Sequence, residues 1–387
     1  MVAATNKNSA PARAALAIVL TAIIAAVFFT AAASACSVFA LTARDTTVLG
    51  QNLDLDPPFP GCVVVSPRGI EKAVLPWQGN GPAPYWGEGP SWTSRYASVT
   101  FTCWGRDFIE GGMNEAGLMI DQANLTAVYP APDDRPGVSP AQWMQFQLDN
   151  YATVGEVLAH LDDLRLDGEE WHFIVADAGG DCAVIEYLDS AALVYSGSAV
   201  EVCALTNTEH RRALSHIAMD AAFGGGVDIA AGGDSYGRFA RMAAFMRDYD
   251  PARSGAIGGY AFTILDEVRA YDTLRSVVYD SGRKRVSWRT PGNPDTRWLD
   301  FESLALEEGS AAAMLGVEEG GPGDASSLLE PWTVEANRLI VDGTVGARLR
   351  ASRAAASLSS LEPAIDATVD HIAGHPARVA TRAGESH

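Results

Sequence analysis

Cys36 directly follows a segment that has the three parts of a secretory signal peptide. Lys7 and Arg13 lie near the start with no acidic residue beside them, an apolar run covers residues 14–30, and the small residues Ala33-Ser34-Ala35 complete the segment. Cleavage at that point would make Cys36 the first residue of the mature protein. Such a protein carries a thiol and a free α-amine on one residue.

These two groups are suited to act together as nucleophile and base. A cysteine thiol has a pKa of about 8.5 and an α-amine a pKa of about 7.7 to 8.0, so near neutral pH a fraction of the amine is free to accept the thiol proton. This N-terminal nucleophile arrangement suits acyl transfer, in which sulfur attacks an amide carbonyl and the resulting thioester is hydrolysed. A cysteine after a cleavage site does not establish this chemistry alone, so residues further along the chain must support it.

Two other fates of residues 1–35 stay open. A retained transmembrane anchor needs roughly 20 apolar residues followed by a charged stop, whereas here small residues and strand-like sequence follow. A lipoprotein signal would lead to acylation of Cys36, but residue 33 is alanine where such signals usually carry leucine. Cleavage is the favoured interpretation, and it predicts a periplasmic or secreted protein.

The sequence after Cys36 positions a carboxylate near it. Alternating residues predict strands over 37–43 and 46–52, with Arg44-Asp45 as the turn between them. This hairpin returns Asp54 toward the chain start. A carboxylate there would orient the α-amine through a charge-assisted hydrogen bond.

Four further sequence blocks accompany the cysteine. They are Gly50-Gln51-Asn52-Leu53-Asp54, Gly112-Met113-Asn114-Glu115-Ala116-Gly117-Leu118, Leu205-Thr206-Asn207 and Arg238-Phe239. Together with Cys36 they resemble the choloylglycine hydrolases, a family that includes bile salt hydrolases, penicillin V acylases and related linear-amide hydrolases. The resemblance extends from Cys36 to about Asp300. The set is specific, although each block alone would be weak.

The resemblance implies a role for five residues. Cys36 would be nucleophile and base, and Asp54 would bind its amine. Asn207, through its side chain, and Asn124 would form the oxyanion-hole pair, and Arg238 would brace the network. Taken singly, the asparagines are equally typical of turns and the arginine of a surface ion pair. No metal or organic cofactor is implied, because every group in this scheme belongs to the protein.

Gln51 departs from the family pattern, which commonly has arginine immediately after the glycine of the first block. A cation beside a thiol lowers the thiol pKa, and neutral Gln51 does not. We therefore expect a less acidic Cys36 thiol, with a higher pH optimum or an altered substrate preference.

The remaining pattern predicts an α+β protein. Strand-like runs joined by turns indicate largely antiparallel sheets, and helices are expected over 140–151, 154–164, 236–248 and 260–270. Two packed antiparallel sheets between helical layers fit this pattern, and they correspond to the four-layer αββα sandwich that the resemblance implies.

The net charge of the chain excludes two classes of partner. Removing residues 1–35 leaves 352 of the 387 residues and changes the net charge from −20 to −22. This acidic balance argues against nucleic acid or an anionic membrane as partner.

The sequence also predicts how the chain is divided. We expect an amidase domain over 36–305, and an extension over 306–387 that completes it and ends partly as a loose tail.

Aromatic residues indicate a binding pocket. Residues 77–92 are rich in tryptophan, glycine and proline and predict a long irregular loop. Together with Trp104, its Trp77 and Trp86 predict an apolar pocket for an acyl group, with simple loop packing as the alternative. Gln51, next to the nucleophile, is a fourth predicted substrate-binding residue.

Four cysteines and two histidines leave alternatives open. Cys62, Cys103, Cys182 and Cys203 have no zinc-site spacing, and a disulfide, for instance between Cys182 and Cys203, competes with buried free thiols. His371 and His375 would share a helix face, but without a third ligand they are expected to be solvated tail residues.

Ser235 belongs to a competing motif. Gly233-Asp234-Ser235-Tyr236-Gly237 matches the nucleophile elbow of serine hydrolases, which requires a buried strand before the serine. The preceding segment is too rich in glycine for such a strand, so Ser235 is expected to cap a helix instead.

The sequence therefore predicts an exported cysteine amidase. Candidate substrates from the resemblance are penicillin V, conjugated bile salts and N-acyl homoserine lactones, and the family often assembles as tetramers. The alternative is a lipid-anchored or catalytically altered binding protein with the same fold.

Overall fold

The computed structural model describes residues 36–55, 59, 61–78, 81–82, 89–228, 233–355 and 362–385. The signal-peptide segment and Trp86 lie outside the described residues. Within the described part, two large β-sheets are stacked between layers of helices.

The first sheet contains the strand that follows Cys36. It has seven strands, all paired antiparallel except the last pair. In spatial order they are Ala204–Leu205, Ser37–Ala43, Thr46–Asp54, Thr273–Asp280, Arg285–Arg289, Arg297–Asp300 and Gly323–Asp324. The predicted hairpin is present, and Arg44 takes the left-handed conformation, with φ of 53°, that its two-residue turn requires.

The second sheet has nine strands and is antiparallel throughout. In spatial order they are Ala192–Ser196, Cys182–Tyr187, Trp171–Ala176, Met119–Asn124, Gly111–Asn114, Ser98–Thr102, Cys62–Ser66, Ala313–Gly316 and Glu330–Pro331.

Helices cover the outer face of each sheet. The first sheet is covered by His210–Ile217, Ser235–Asp248 and Ile257–Glu267, and the second by Pro140–Asn150 and Val154–Ala159 together with C-terminal helices. Ser139 caps the helix at Pro140, and Thr153 and Glu156 form a capping box at the helix that begins at Val154. The helix expected over 154–164 ends early, at Ala159, with His160 as its C-cap.

Strand alternation explains why the sheets stack. Val38 and Val277 face the second sheet, whereas their neighbours Phe39 and Val278 face the helices on the opposite side. Since successive side chains of a strand point to opposite faces, a strand that is apolar at every position is buried on both. The αββα sandwich follows from these doubly apolar strands.

The C-terminal region is part of this architecture. Strand Ala313–Gly316 pairs with Cys62–Ser66, and helices span Val334–Val341, Ala347–Ala355, Glu362–Ala373 and His375–Glu385, with a π-helix at Asp342–Gly346. Ile365 and Val369 are buried against the second sheet's helical layer. The prediction of a solvated His375 is wrong, because this side chain is buried and its Nε2 lies 2.9 Å from the carbonyl oxygen of Ala73. The domain boundary at residue 305 stays a prediction.

Two small sheets complete the fold. Trp77–Gln78 and Gly81–Pro82 form a sheet with Gly137–Val138 and Arg165–Leu166, and Glu71–Ala73 pairs with Ser91–Thr93. The expectation of a wholly irregular segment over 77–92 is therefore wrong. Across the described residues, no helix combines the length and the apolar character needed to span a bilayer.

Candidate active site

The first hairpin brings Asp54 to Cys36. Ser37 pairs with Asn52 across the hairpin, so Cys36, one residue before Ser37, and Asp54, two residues after Asn52, lie at the same end of the sheet. The Cys36 Sγ lies 3.8 Å from the main-chain oxygen of Asp54. Both residues are buried, with Cys36 at 1% and Asp54 at 0% exposure.

Burial strongly affects the Asp54 carboxyl. It raises the pKa of Asp54 to about 7, and the Thr273 hydroxyl and the Arg238 charge oppose that rise. Thr273 begins the neighbouring strand, and its Oγ1 donates to Asp54 Oδ1 over 2.5 Å. In the full chain Cys36 has no free α-amine, because its nitrogen is part of a peptide bond. A free α-ammonium group at this position would add a charge that favours the ionised carboxylate.

Arg238 joins three parts of the site. It lies on the first turn of helix Ser235–Asp248, and its guanidinium donates to Ser37 Oγ over 3.0 Å and to the Cys36 carbonyl oxygen over 3.5 Å. It also donates to Asn207 Oδ1 over 2.9 Å. The side chain is only 3% exposed, so these contacts replace the water it would otherwise bind. One arginine therefore fixes the chain start and the asparagine relative to each other.

The orientation of the Asn207 amide is determined by its partners. Arg238 only donates, so the atom facing it is the amide oxygen, and Asn207 Nδ2 in turn donates to the Asn124 carbonyl oxygen over 3.1 Å. One Nδ2 hydrogen then remains for a further acceptor. The structure thus brings Cys36, Asp54, Asn124, Asn207 and Arg238 together through these contacts.

Gln51 lies deeper than the sequence suggested. Its strand partners are Val38 and Val277, so its side chain points between the sheets, where it is fully buried and its Nε2 contacts Asp121 Oδ1. Burial raises the pKa of Asp121 well above its ordinary value, which favours the neutral carboxyl. The position where the family commonly has a cation therefore holds an uncharged amide beside a buried carboxyl group.

The family assignment rests on the sequence around these residues. The family model for linear amide C–N hydrolases of the choloylglycine hydrolase family matches residues 36–238. The chain belongs to the choloylglycine hydrolase family. As a member of it, the protein is a hydrolase that acts on carbon–nitrogen bonds in linear amides.

Individual relatives agree with this assignment. A penicillin V acylase from Pectobacterium atrosepticum is 25% identical over 289 residues, which cover 62% of this chain and 77% of that protein. The solved structure of penicillin V acylase from Agrobacterium tumefaciens has a TM-score of 0.64 at 24% identity and covers 77% of this chain and 98% of its own. A mutant of the conjugated bile acid hydrolase from Clostridium perfringens has a TM-score of 0.60 at 17% identity, over 74% of this chain and 98% of its own. These structures show that this choloylglycine hydrolase has the N-terminal nucleophile hydrolase fold.

Two of the three predicted tryptophans of the binding pocket line one cavity. Trp77 and Trp104 share it with Phe108, Glu169 and Trp171. Trp171, in the cavity wall, is the direct strand partner of Asn124. Burial raises the pKa of Glu169 to about 7. Trp86, the third tryptophan, lies outside the described residues.

The C-terminal region contributes to this cavity. Val345 and Ile372 line it, and the Arg348 guanidinium lies 4.5 Å from the ring centre of Phe59 and 4.8 Å from that of Trp104. A cation over aromatic faces is an attractive contact. Sequence reasoning missed Arg348, whose local sequence does not connect it to Trp104, and it missed Glu169, although Trp171 of the same cavity is close to it in the chain.

The structure does not support Ser235 as a nucleophile. Asp234, not Ser235, caps the helix, because its side chain accepts from the Gly237 N–H over 2.7 Å. The Ser235 hydroxyl contacts only the hydroxyl groups of Thr206 and Thr208 among the described residues. It therefore lacks the histidine partner that a serine nucleophile needs.

The cysteines separate into one bonded pair and three thiols. Cys182 and Cys203 form a disulfide, while Cys36, Cys62 and Cys103 are buried and are not part of a disulfide among the described residues. Within the part of the chain that the structure describes, no group of three metal-ligating side chains is present, so His371 and His375 have no third ligand there.

Replacing Gln51 by arginine is expected to make the thiol more acidic. The cation would lower the pKa of Cys36. We expect a decrease of only about one unit, because Asp121 would ionise beside the new cation and cancel part of its charge. The pH dependence of Cys36 alkylation by iodoacetamide in the mature protein measures this pKa. Gln51→Met is the matched neutral control and should leave the midpoint unchanged. An unchanged midpoint in Gln51→Arg would show that residue 51 does not influence the thiol.

Proposed function

We propose that this protein is an exported cysteine amidase that hydrolyses N-acyl amides through a thioester on Cys36, after residues 1–35 are removed. The observation that carries the proposal is the contact set of Arg238, which joins the Cys36 carbonyl, Ser37 and Asn207. These contacts support the proposal, because they connect the residue that carries the thiol to an amide side chain that has a hydrogen-bond donor.

In the first half of the reaction, the free α-amine of Cys36 accepts the thiol proton and the sulfur attacks the amide carbonyl carbon. Negative charge develops on the carbonyl oxygen, and Asn207 Nδ2 donates a hydrogen bond to it. The tetrahedral intermediate collapses as the C–N bond breaks. The α-ammonium group returns its proton to the leaving amine, and the acyl group remains on sulfur as a thioester.

In the second half, water attacks the thioester carbonyl. The α-amine takes the proton from water, the same oxyanion donor stabilises the second intermediate, and the thiolate leaves and is reprotonated. Asp54 keeps the α-amine oriented through both halves. For this role Asp54 would remain ionised beside the α-ammonium group, which forms transiently.

The aromatic cavity suggests which acyl groups enter. Its walls of Trp77, Trp104, Phe108 and Trp171 favour an apolar or aromatic acyl group. The names of the relatives include penicillin V and a conjugated bile acid as substrates. Penicillin V, conjugated bile salts and N-acyl homoserine lactones are therefore the proposed substrate classes, with Trp77, Trp104 and Gln51 as residues that influence the choice.

The disulfide supports the exported location. Disulfides persist in the periplasm and outside the cell, whereas cytosolic thiols are kept reduced. The bond between Cys182 and Cys203 thus agrees with removal of a secretory signal before Cys36.

The proposal is tested with the mature protein that begins at Cys36. We expect it to hydrolyse at least one of three substrates: penicillin V, a glycine-conjugated bile salt or an N-acyl homoserine lactone. Cys36→Ser, the matched control, should lose that turnover. The N-terminal mass separates the alternatives: a free cysteine agrees with the amidase, and a diacylglycerol adduct would favour the lipid-anchored binding protein. No turnover of any substrate by a protein with a free Cys36 would contradict the proposed substrate classes.

A further inference from the structure

Asn207 lies at the tip of a short turn that other residues hold in place. Thr206 and Thr208 form an isolated antiparallel bridge with each other, so Asn207 projects between them. This turn follows the edge strand Ala204–Leu205 of the first sheet, which pairs with the strand next to Cys36. We call residues 206–208 the Asn207 turn.

His172 holds the Asn207 turn from the second sheet. Its Nε2 lies 2.7 Å from the Thr206 carbonyl oxygen, and its Nδ1 lies 3.0 Å from Glu186 Oε1. A carbonyl oxygen only accepts, so Nε2 carries a hydrogen and Nδ1 shares a proton with Glu186. The imidazole is fully buried between the sheets. The bond fixes the plane of the peptide group that leads into Asn207.

Glu186 keeps His172 in this orientation. The two residues lie on adjacent strands of the second sheet, and Glu186 Oε1 also accepts from the His210 N–H over 2.8 Å. His210 is the first residue of helix His210–Ile217, where a negative charge is stabilised by the helix dipole. Glu186 therefore joins the helix start, the imidazole and, through it, the Asn207 turn.

Ser235 holds the other side of the turn. Its hydroxyl lies 2.6 Å from Thr208 Oγ1 and 2.8 Å from Thr206 Oγ1, and its main-chain oxygen accepts from Thr206 Oγ1 over 3.0 Å. One turn further along the same helix, Arg238 binds Asn207 Oδ1. Ser235 thus connects both ends of the turn to the helix that orients the asparagine side chain.

We propose that His172, supported by Glu186, and Ser235 are positioning residues that align the Asn207 amide with the oxyanion formed at Cys36. This inference rests on the proposed function in one respect, namely that Asn207 is the oxyanion donor. Such donors are effective when they are held rigidly before charge develops. The turn is held from three directions: the second sheet, the helix at Ser235 and the disulfide at Cys203, which directly precedes strand Ala204–Leu205.

Two reactions of the Cys36 thiol separate positioning from general structure. Acylation by p-nitrophenyl acetate passes through a tetrahedral oxyanion: sulfur bonds to the acetyl carbon and p-nitrophenolate leaves. Alkylation by iodoacetamide displaces iodide and forms no oxyanion. In the mature protein we expect His172→Leu to slow acylation about 10- to 100-fold and to leave the alkylation rate within about twofold. His172→Gln, which places an amide donor near the Nε2 position, should recover most of the acylation rate.

Ser235→Ala is a milder variant at a half-buried position, and it keeps the test available if His172→Leu does not fold. We expect it to slow acylation and not alkylation. His160→Leu, at an exposed histidine, is the control and should change neither rate. Equal slowing of both reactions by His172→Leu and Ser235→Ala would overturn the proposal, because it would indicate general damage to the site.

Coupling to Asn207 provides the deciding measurement. If the positioning residues act through the asparagine, His172→Leu and Ser235→Ala should slow acylation by no more than about twofold further in an Asn207→Ala background. Full additivity would overturn the inference. The assay needs no natural substrate, so it stays informative if the substrate panel is inactive. Wild-type protein that is alkylated but not acylated would instead count against Asn207 as an oxyanion donor and hence against the proposed function.

Discussion

A protein that begins at Ala35, one residue ahead of Cys36, is expected to hydrolyse amides at least about 10³-fold more slowly than the protein that begins at Cys36. The extra residue converts the α-amine into a peptide nitrogen, which does not accept the thiol proton, and a positioned general base contributes roughly 10² to 10⁴ in rate. Rates are compared on whichever amide the mature protein hydrolyses, with the N-terminus of each protein verified by mass.

Iodoacetamide titration provides the control for this comparison. Thiol reactivity at pH 9 should be similar in both proteins, since the thiol then ionises without help from a base. Comparable amide turnover by the extended protein would contradict the N-terminal base and would leave Cys36 as a nucleophile that depends on some other group.

The same two proteins should differ in how stability depends on pH. Burial raises the pKa of Asp54 from 3.8 to about 7 in the full chain, so the folded state holds this proton more tightly than the unfolded state. The resulting stability is present below about pH 4 and is lost as pH rises toward 7. At about 1.4 kcal/mol per pKa unit, the loss is on the order of 4 kcal/mol.

In the mature protein the α-ammonium group favours the ionised Asp54 and lowers its pKa, so less stability should be lost over the same window. Urea unfolding of both proteins at pH 5 and pH 7.5 measures the difference. Identical pH dependence would show that the amine does not contact Asp54.

Much of this site was predictable because it is encoded locally. The hairpin that returns Asp54 to Cys36 follows from strand alternation and a two-residue turn, and the structure has it with Ser37 paired to Asn52. Arg238 on the first turn of its helix follows equally from local sequence. Which partners Arg238 binds was not predictable, because Ser37 is 201 residues away in the chain.

Replacing Asn207 by alanine is expected to lower kcat about 10²- to 10³-fold with little change in KM, the usual cost of losing one oxyanion donor. The amide hydrogen on Nδ2 matters only when charge develops on the carbonyl oxygen, so substrate binding is largely unaffected. Steady-state kinetics on the best amide substrate measure both constants.

Asn207→Asp sharpens this prediction. The aspartate keeps an oxygen for the hydrogen bond from Arg238 but loses the Nδ2 donor, so kcat should fall at least as far as in Asn207→Ala. Asn150→Ala is the matched control, since among the described residues its Nδ2 donates only to the Phe146 carbonyl oxygen in a helix. A change confined to KM in both Asn207 variants would assign this residue to substrate binding rather than to the transition state.

The residues that hold the Asn207 turn from the second sheet, His172 and Glu186, were not predicted from the sequence. His172 and Glu186 each interrupt an otherwise apolar strand at a position that faces the other sheet. That pattern alone was a usable signal, since buried polar groups require partners. Their shared target, the Thr206 carbonyl, depends on how two sheets stack, which no local pattern specifies.

The disulfide has a practical consequence for producing this enzyme. Cys182 opens the strand that carries Glu186, and Cys203 directly precedes the strand that leads to Asn207, so the bond links the strand of Glu186 to the segment that carries the proposed oxyanion donor. Material made in a reducing cytosol would lack this link while still folding around the same hydrophobic layers. Recombinant preparations from oxidising and reducing hosts would then have equal purity and unequal specific activity, and a count of free thiols should accompany every kinetic constant assigned to this protein.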